Sequence, residues 1–121
     1  MEFKTKAHEE IYHKIAGYMK ELFGEFARTR EDDTAFGITV GSAYVYSRVY
    51  AWGEEEAVIN TRSFVITKCE IVPDLMEYLL TENDSMRFGA FGLDKDKDIF
   101  FEHAILGSTC DKEELKASVM A

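Results

Sequence analysis

"AYVYSRVYAW", residues 43–52, decides the fold of this chain. Tyr44, Tyr46, Tyr50 and Trp52 stand at alternate positions with Arg48 among them, and Ala43, Val45, Ser47, Val49 and Ala51 fill the positions between. Side chains of a β-strand alternate between the two faces of a sheet, so the stretch reads as a strand with two unlike sides. The small side suits a helix packed closely against it. The ring side poses the functional question, because it is either the core face or a surface left for something else.

Upstream, residues 5–27 carry a helical pattern. Ile11, Ile15, Tyr18, Leu22 and Phe26 recur at spacings of three and four, widened by Tyr12, Met19 and Phe23. Thr5 is a plausible N-cap, and Glu9 and Glu10 lie near the positive end of the helix dipole. "RTREDD" ends that helix in charge. "FGITV" follows as a short strand, and Gly41-Ser42 makes a tight hairpin turn into the aromatic strand. Downstream, "GEEE" turns into a third strand over residues 57–67, rich in β-branched residues.

Pro73 suits the first turn of a second helix, whose apolar side is Leu75, Met76, Leu79 and Leu80. "MRFGAFGL" and "DIFFEHAIL" read as two further strands joined by "DKDKD". Asp111-x-x-Glu114 resembles a capping box and starts a last helix with Leu115 and Val119. The order is αβββαββα, in one domain spanning residues 1–121. Consecutive strands with short turns predict the α+β class: a single antiparallel five-stranded sheet near residues 35–67 and 86–106.

Composition limits the function. The chain has 121 residues, 46% of them hydrophobic, and only one proline, which leaves no low-complexity linker. A net charge of −9 argues against nucleic acid and against an anionic membrane surface, since both are bound by basic patches. No apolar run approaches the roughly 18 residues of a membrane span. "MEFKTKAHEE" lacks the apolar region of a signal peptide, and Cys69 and Cys110 form no CxxC pair. They read as free thiols of a cytoplasmic protein.

Motifs for chemistry fail one by one. A zinc-protease helix needs histidines at i and i+4, but His8 and His13 are five apart and diverge by roughly 140° around a helix. They read as solvated helix residues. Asp94, Asp96 and Asp98 begin like a calcium loop, yet Ile99 stands where glycine is needed and Ile105 where a bidentate glutamate is needed. A polar hairpin is the better account. His103 lies in an apolar strand, where Glu102 points to the opposite face, and "GAFG" is no phosphate loop. No nucleophile, base and oxyanion site assemble, so neither catalytic residue, metal nor cofactor is expected.

The run "RFGAFGLDKDKDIFFEHAILGSTCDKEEL", residues 87–115, resembles the YbjN-like family, most of all its cyanobacterial branch. That family is related in fold to the type III secretion chaperones. The amphipathic first helix, the tryptophan-ended strand and the helix after "IVPDL" extend the resemblance over about the whole chain. It implies the same element order, a homodimer, and binding of extended partner segments without ATP. It also implies a last helix shortened relative to other members. By analogy with secretion chaperones the dimer contact falls on the second helix and the strand after it: Leu75, Met76, Leu79, Leu80, Phe88 and Phe91.

Three readings of function stand. In the first, a chaperone-like module holds a protein or peptide client on a face that includes Tyr44, Tyr46, Arg48, Tyr50 and Trp52. An uncovered row of rings with polar tips is the kind of patch that marks an interaction site. In the second, a regulatory or scaffolding homodimer acts through a folded partner. The third is an enzyme of a kind the motifs do not reveal. Against the client reading of the rings, they could equally be the core side of the sheet, or a permanent dimer interface.

Overall fold

The computed structural model describes residues 2–68 and 70–120; Cys69, read above as a free thiol, lies outside them. Helix α1 (Lys6–Phe23) leads through a 3-10 turn (Gly24–Phe26) into strands β1 (Arg28–Thr29), β2 (Ala35–Val40), β3 (Ala43–Trp52) and β4 (Glu56–Ile66). Helix α2 (Pro73–Ser85), strands β5 (Ala90–Leu93) and β6 (Ile99–Leu106), and helix α3 (Lys112–Met120) follow. All pairings are antiparallel, in the order β1-β2-β3-β4-β6-β5.

The sheet therefore has six strands rather than five. The added strand, Arg28–Thr29, lies in the charged segment read as a loop, and it pairs with Gly37 and Phe36. Two residues carry no periodicity, so main-chain bonding to β2 alone makes them a strand. Helix α1 also stops earlier than its apolar stripe predicts. Gly24 takes φ 57°, a left-handed conformation that ends the helix, and its N–H reaches back to the Lys20 carbonyl. Thr5 caps the other end, accepting the His8 N–H at 3.0 Å.

The core lies between α1, α3 and one face of the sheet. Ile15 and Met19 of α1, Val45 and Val49 of β3, Ile59 of β4, and Leu115 and Val119 of α3 are buried together. Ser47 is also buried, with its hydroxyl 2.7 Å from that of Thr61, which accepts from Ser118 at 3.1 Å. The small side of the aromatic strand is thus the covered side. Where β3 meets the helices it presents Val45, Ser47 and Val49 rather than rings, and the ring on this face, Phe36 of β2, stacks on Tyr12 of α1.

His8 corrects the sequence reading. It is a buried core residue, not a solvated one: its Nδ1 accepts the Lys4 N–H and its Nε2 donates to the Val49 carbonyl at 2.9 Å. His13 is exposed and turned away from it, as the spacing predicts. The segment around Asp94 is a hairpin turn, in which one carboxylate oxygen accepts the N–H groups of Asp96 and Asp98.

Truncations on the two sides of the sheet should differ in size. Ile15→Ala opens a cavity in the core and is expected to lower stability by about 2–5 kcal/mol. Trp52→Ala, on the open face, is expected to stay within about 0.5 kcal/mol of the parent in denaturant melts.

Candidate functional site

The opposite face of the sheet carries no helix contact from α1 or α3, and the rings of β3 lie on it. Trp52 is 66% exposed, Tyr44 50% and Tyr50 45%, whereas Tyr46 is half-buried in the middle of the row. The β3–β4 register brings further side chains of the same parity alongside. Tyr50 pairs with Val58 and Tyr46 with Arg62, and Phe64 lies 6.0 Å from Tyr46 between ring centroids. On β6, Phe100 stands opposite Phe64 and Leu106 opposite Val58.

Two ion pairs fix this face. The Arg48 guanidinium meets the Asp33 carboxylate in a two-pronged contact, Nε to Oδ1 at 3.0 Å and Nη2 to Oδ2 at 2.6 Å. That hydrogen bond holds the Asp33 carboxyl below its ordinary range and pushes the Arg48 guanidinium up. The Arg48 guanidinium carbon lies 5.8 Å from the centre of the Tyr46 ring and 6.0 Å from that of Tyr50, so it braces both. One row away, Arg62 donates to Glu102 at 2.7 Å and stacks on Phe100 at 3.7 Å.

Sequence reasoning named the five side chains of β3 but missed Val58, Phe64, Phe100 and Leu106. The signal was present. A short turn between Trp52 and Glu56 fixes the register, and alternate residues of "AVINTRSF" then share the ring face.

Two features border the rings. A groove of about 490 Å³ opens between β1, β2 and β3, lined by Arg28, Arg30, Asp33, Tyr44, Tyr46 and Arg48. Its floor is Gly37: a Cβ there would come within 1.9 Å of the Tyr44 hydroxyl, so the missing side chain lets that phenol lie across β2. Beyond Gly37 the outer edge of β2, Ile38 to Val40, has no strand paired to it among the described residues. It faces a second hollow of about 650 Å³, bordered by Leu22, Phe23, Phe26 and Met120.

The residues assigned to a dimer contact sit at the far end of the sheet. None of the residues of α2 is buried. Leu75, Met76 and Leu79 are half-buried, Leu80 is 69% exposed and Phe88 80% exposed, while Phe91 packs at a tilt on Phe101, 5.3 Å between ring centroids. Asn83 ties the helix to β5 by accepting the Phe91 N–H at 2.7 Å.

The nearest approach to a catalytic pair is His103 with Ser118, whose ring nitrogen and hydroxyl touch. The pair belongs to the buried polar seam that continues to Thr61 and Ser47. The space beside it is about 20 Å³, too small for a substrate. Among the described residues no group of three or more His, Cys, Asp or Glu side chains could hold a metal ion. No helix there is long and apolar enough to cross a membrane.

A helix-backed antiparallel sheet with its other face open and aromatic has the kind of surface that binds protein. The family is specific: the chain belongs to TY-Chap1, the "T3SS (YopN, CesT) and YbjN peptide-binding chaperone 1" family, whose model matches residues 9–121. That agrees with the resemblance carried by residues 87–115. A solved chain from the crystal structure of the ExsC–ExsE complex superposes with a TM-score of 0.67 at 12% identity. The match covers 92% of this chain and 84% of that one, and it shows the shared fold. No curated protein matches the sequence.

Burial lowers the pKa of His103 from its ordinary 6.5, so the folded state resists its protonation. The sign follows: its contribution is fully present above pH 6.5 and is lost as pH falls below that value toward the folded pKa. Melting temperature is therefore expected to drop between pH 7 and pH 5. That drop should be smaller in His103→Gln, since Asp33 and Glu56 have their carboxyls held below 3.8 and 4.5 and titrate lower still.

Proposed function

We propose that this chain is a non-enzymatic chaperone that holds an extended segment of a partner protein without ATP, working as a homodimer in the cytoplasm. The observation that carries the client reading is the sheet face away from α1 and α3, with Tyr44, Tyr50 and Trp52 exposed along one strand and Tyr44 next to the unpaired edge of β2. Main-chain groups on an open strand edge bind an extended peptide without reading its sequence, and pockets beside it select side chains. Tyr and Trp provide large contact area at low conformational cost, with polar tips that tolerate water when the site is empty. Membership of a peptide-binding family supports the same reading.

The homodimer rests on the other end of the sheet. Helix α2 has no buried residue and packs chiefly on the edge strand β5, leaving Tyr78, Leu80 and Phe88 exposed. A second copy covering α2 and β5 would bury these side chains while leaving β3 free. The buried, unpaired thiol of Cys110 is in keeping with a reducing compartment.

Trp52 is the only tryptophan, so its emission reports directly on the proposed face. Titrating a library of extended peptides is expected to shift that emission to shorter wavelength. Tyr50→Ala should weaken the bound peptides by about tenfold or more without changing the melting temperature. Binding that leaves Trp52 emission and the Tyr50→Ala affinity unchanged would move the client site elsewhere. For assembly, light scattering should give a dimer for the parent and a monomer for Leu80→Glu with Phe88→Glu. A parent that is monomeric at every concentration removes the dimer from the proposal.

A further inference from the structure

We infer that the groove between β1, β2 and β3 selects clients with acidic residues, binding a side-chain carboxylate of the extended segment beside the aromatic row. This rests on the client reading above and adds the chemistry that the client must carry. The argument is a count of donors against acceptors. Arg28 and Arg30 both line the groove, two residues apart, and neither makes a side-chain hydrogen bond or ion pair among the described residues. The hydroxyls of Tyr44 and Tyr46 line it too, and no hydrogen bond engages either of them there.

The one carboxylate in the lining is Asp33, and both of its oxygens are taken by Arg48. Glu31 and Asp32 follow Arg30 in sequence but do not line the groove. Beyond the groove on this face, Glu102 is held by Arg62, and Asp94, which acts on the Tyr46 phenol, has one oxygen taken by the N–H groups of Asp96 and Asp98. The groove therefore offers two unpaired cationic side chains and no free carboxylate, with tyrosine and Thr29 hydroxyls that can donate or accept. Of the side chains a peptide can bring to these donors, a carboxylate matches best, since it carries two acceptor oxygens and the charge opposite to the arginines.

The rest of the molecule narrows the anion to one carried on a peptide. With a net charge of −9, the chain repels a long polyanion such as nucleic acid everywhere outside this groove. A hollow of about 490 Å³ admits one or two side chains, not a duplex. It lies continuous with Tyr44 and Tyr46, so a segment that lays an apolar side chain on the rings brings a neighbouring residue to Arg28 and Arg30.

The test uses three fluorescein-labelled ten-residue peptides with Leu and Phe at alternate positions and Gln at the others, except for one central position that is Glu, Gln or Lys. Each is titrated by anisotropy against the full chain and against the Arg28→Gln, Arg30→Gln double variant. The Glu peptide is expected to bind about tenfold tighter than the Gln peptide at low salt, with the Lys peptide weakest, and the advantage should shrink as salt is raised. In the double variant Glu and Gln peptides should bind alike, at the parent's Gln level. Both arginines are exposed, so an unchanged melting temperature will show that the variant is folded.

If all three peptides bind equally to the parent and are weakened by Tyr50→Ala, the client face stands and the acidic preference falls. If none binds, the inference falls; the emission assay with a broader library then decides the client face separately. If inorganic phosphate or single-stranded DNA displaces the Glu peptide at its own concentration, the groove is a general anion site. The assignment to an acidic peptide is then wrong.

Discussion

The structure depends on the contact between α1 and the small side of β3. Ile15 and Met19 are buried against Val45, Val49 and Ile59, and Ser47 lies beneath them with its hydroxyl satisfied by Thr61. A helix sits at the usual distance from a sheet only where the intervening side chains interdigitate without overpacking, and this layer already holds the stacked rings of Tyr12 and Phe36, so a further row of rings from β3 would overpack it. Strand alternation has a period of two, and a strand that offers Val, Ser and Ala inward must send every ring outward. The aromatic face is the geometrical counterpart of the packed core, and a one-residue slip of β3 would exchange the two.

That dependence explains what could be read in the sequence. The helix stripe of α1, the Thr5 cap, the Gly41 hairpin and the Pro73 helix start are all local signals, and each marks the element it should. The five side chains of β3 were legible for the same reason, because alternation needs no tertiary knowledge. Which side the helices cover was not legible: both sides of β3 are apolar enough to serve as a core. Volume decides it, through the fit of α1 over small residues. His8 escaped because a polar residue near a helix start reads as solvated, and only the fold brings the Val49 carbonyl to its ring. Strand β1 escaped because two residues hold no pattern at all. The basic groove escaped with it, since Arg28 and Arg30 reach Tyr44 only through the pairing of β1 with β2.

An open sheet face rich in rings invites self-association, and the sequence counters this within the face itself. Ring-bearing positions alternate across the strands with charged pairs: Arg48 with Asp33 on one side of Tyr46, Arg62 with Glu102 on the other. Each guanidinium lies against an aromatic ring, so the charge that interrupts the apolar surface also holds that surface in place. The face is then striped, not greasy. A second flat apolar sheet laid on it would bury ion pairs without replacing their water, which costs several kcal/mol per charge. A single extended segment laid along β3, as proposed above, would cover Arg48 of these charges and leave Arg62 and Glu102 wet, a smaller penalty. On the client reading proposed above, the striping would favour a strand over a sheet, with the same residues that interrupt the apolar surface of the empty face.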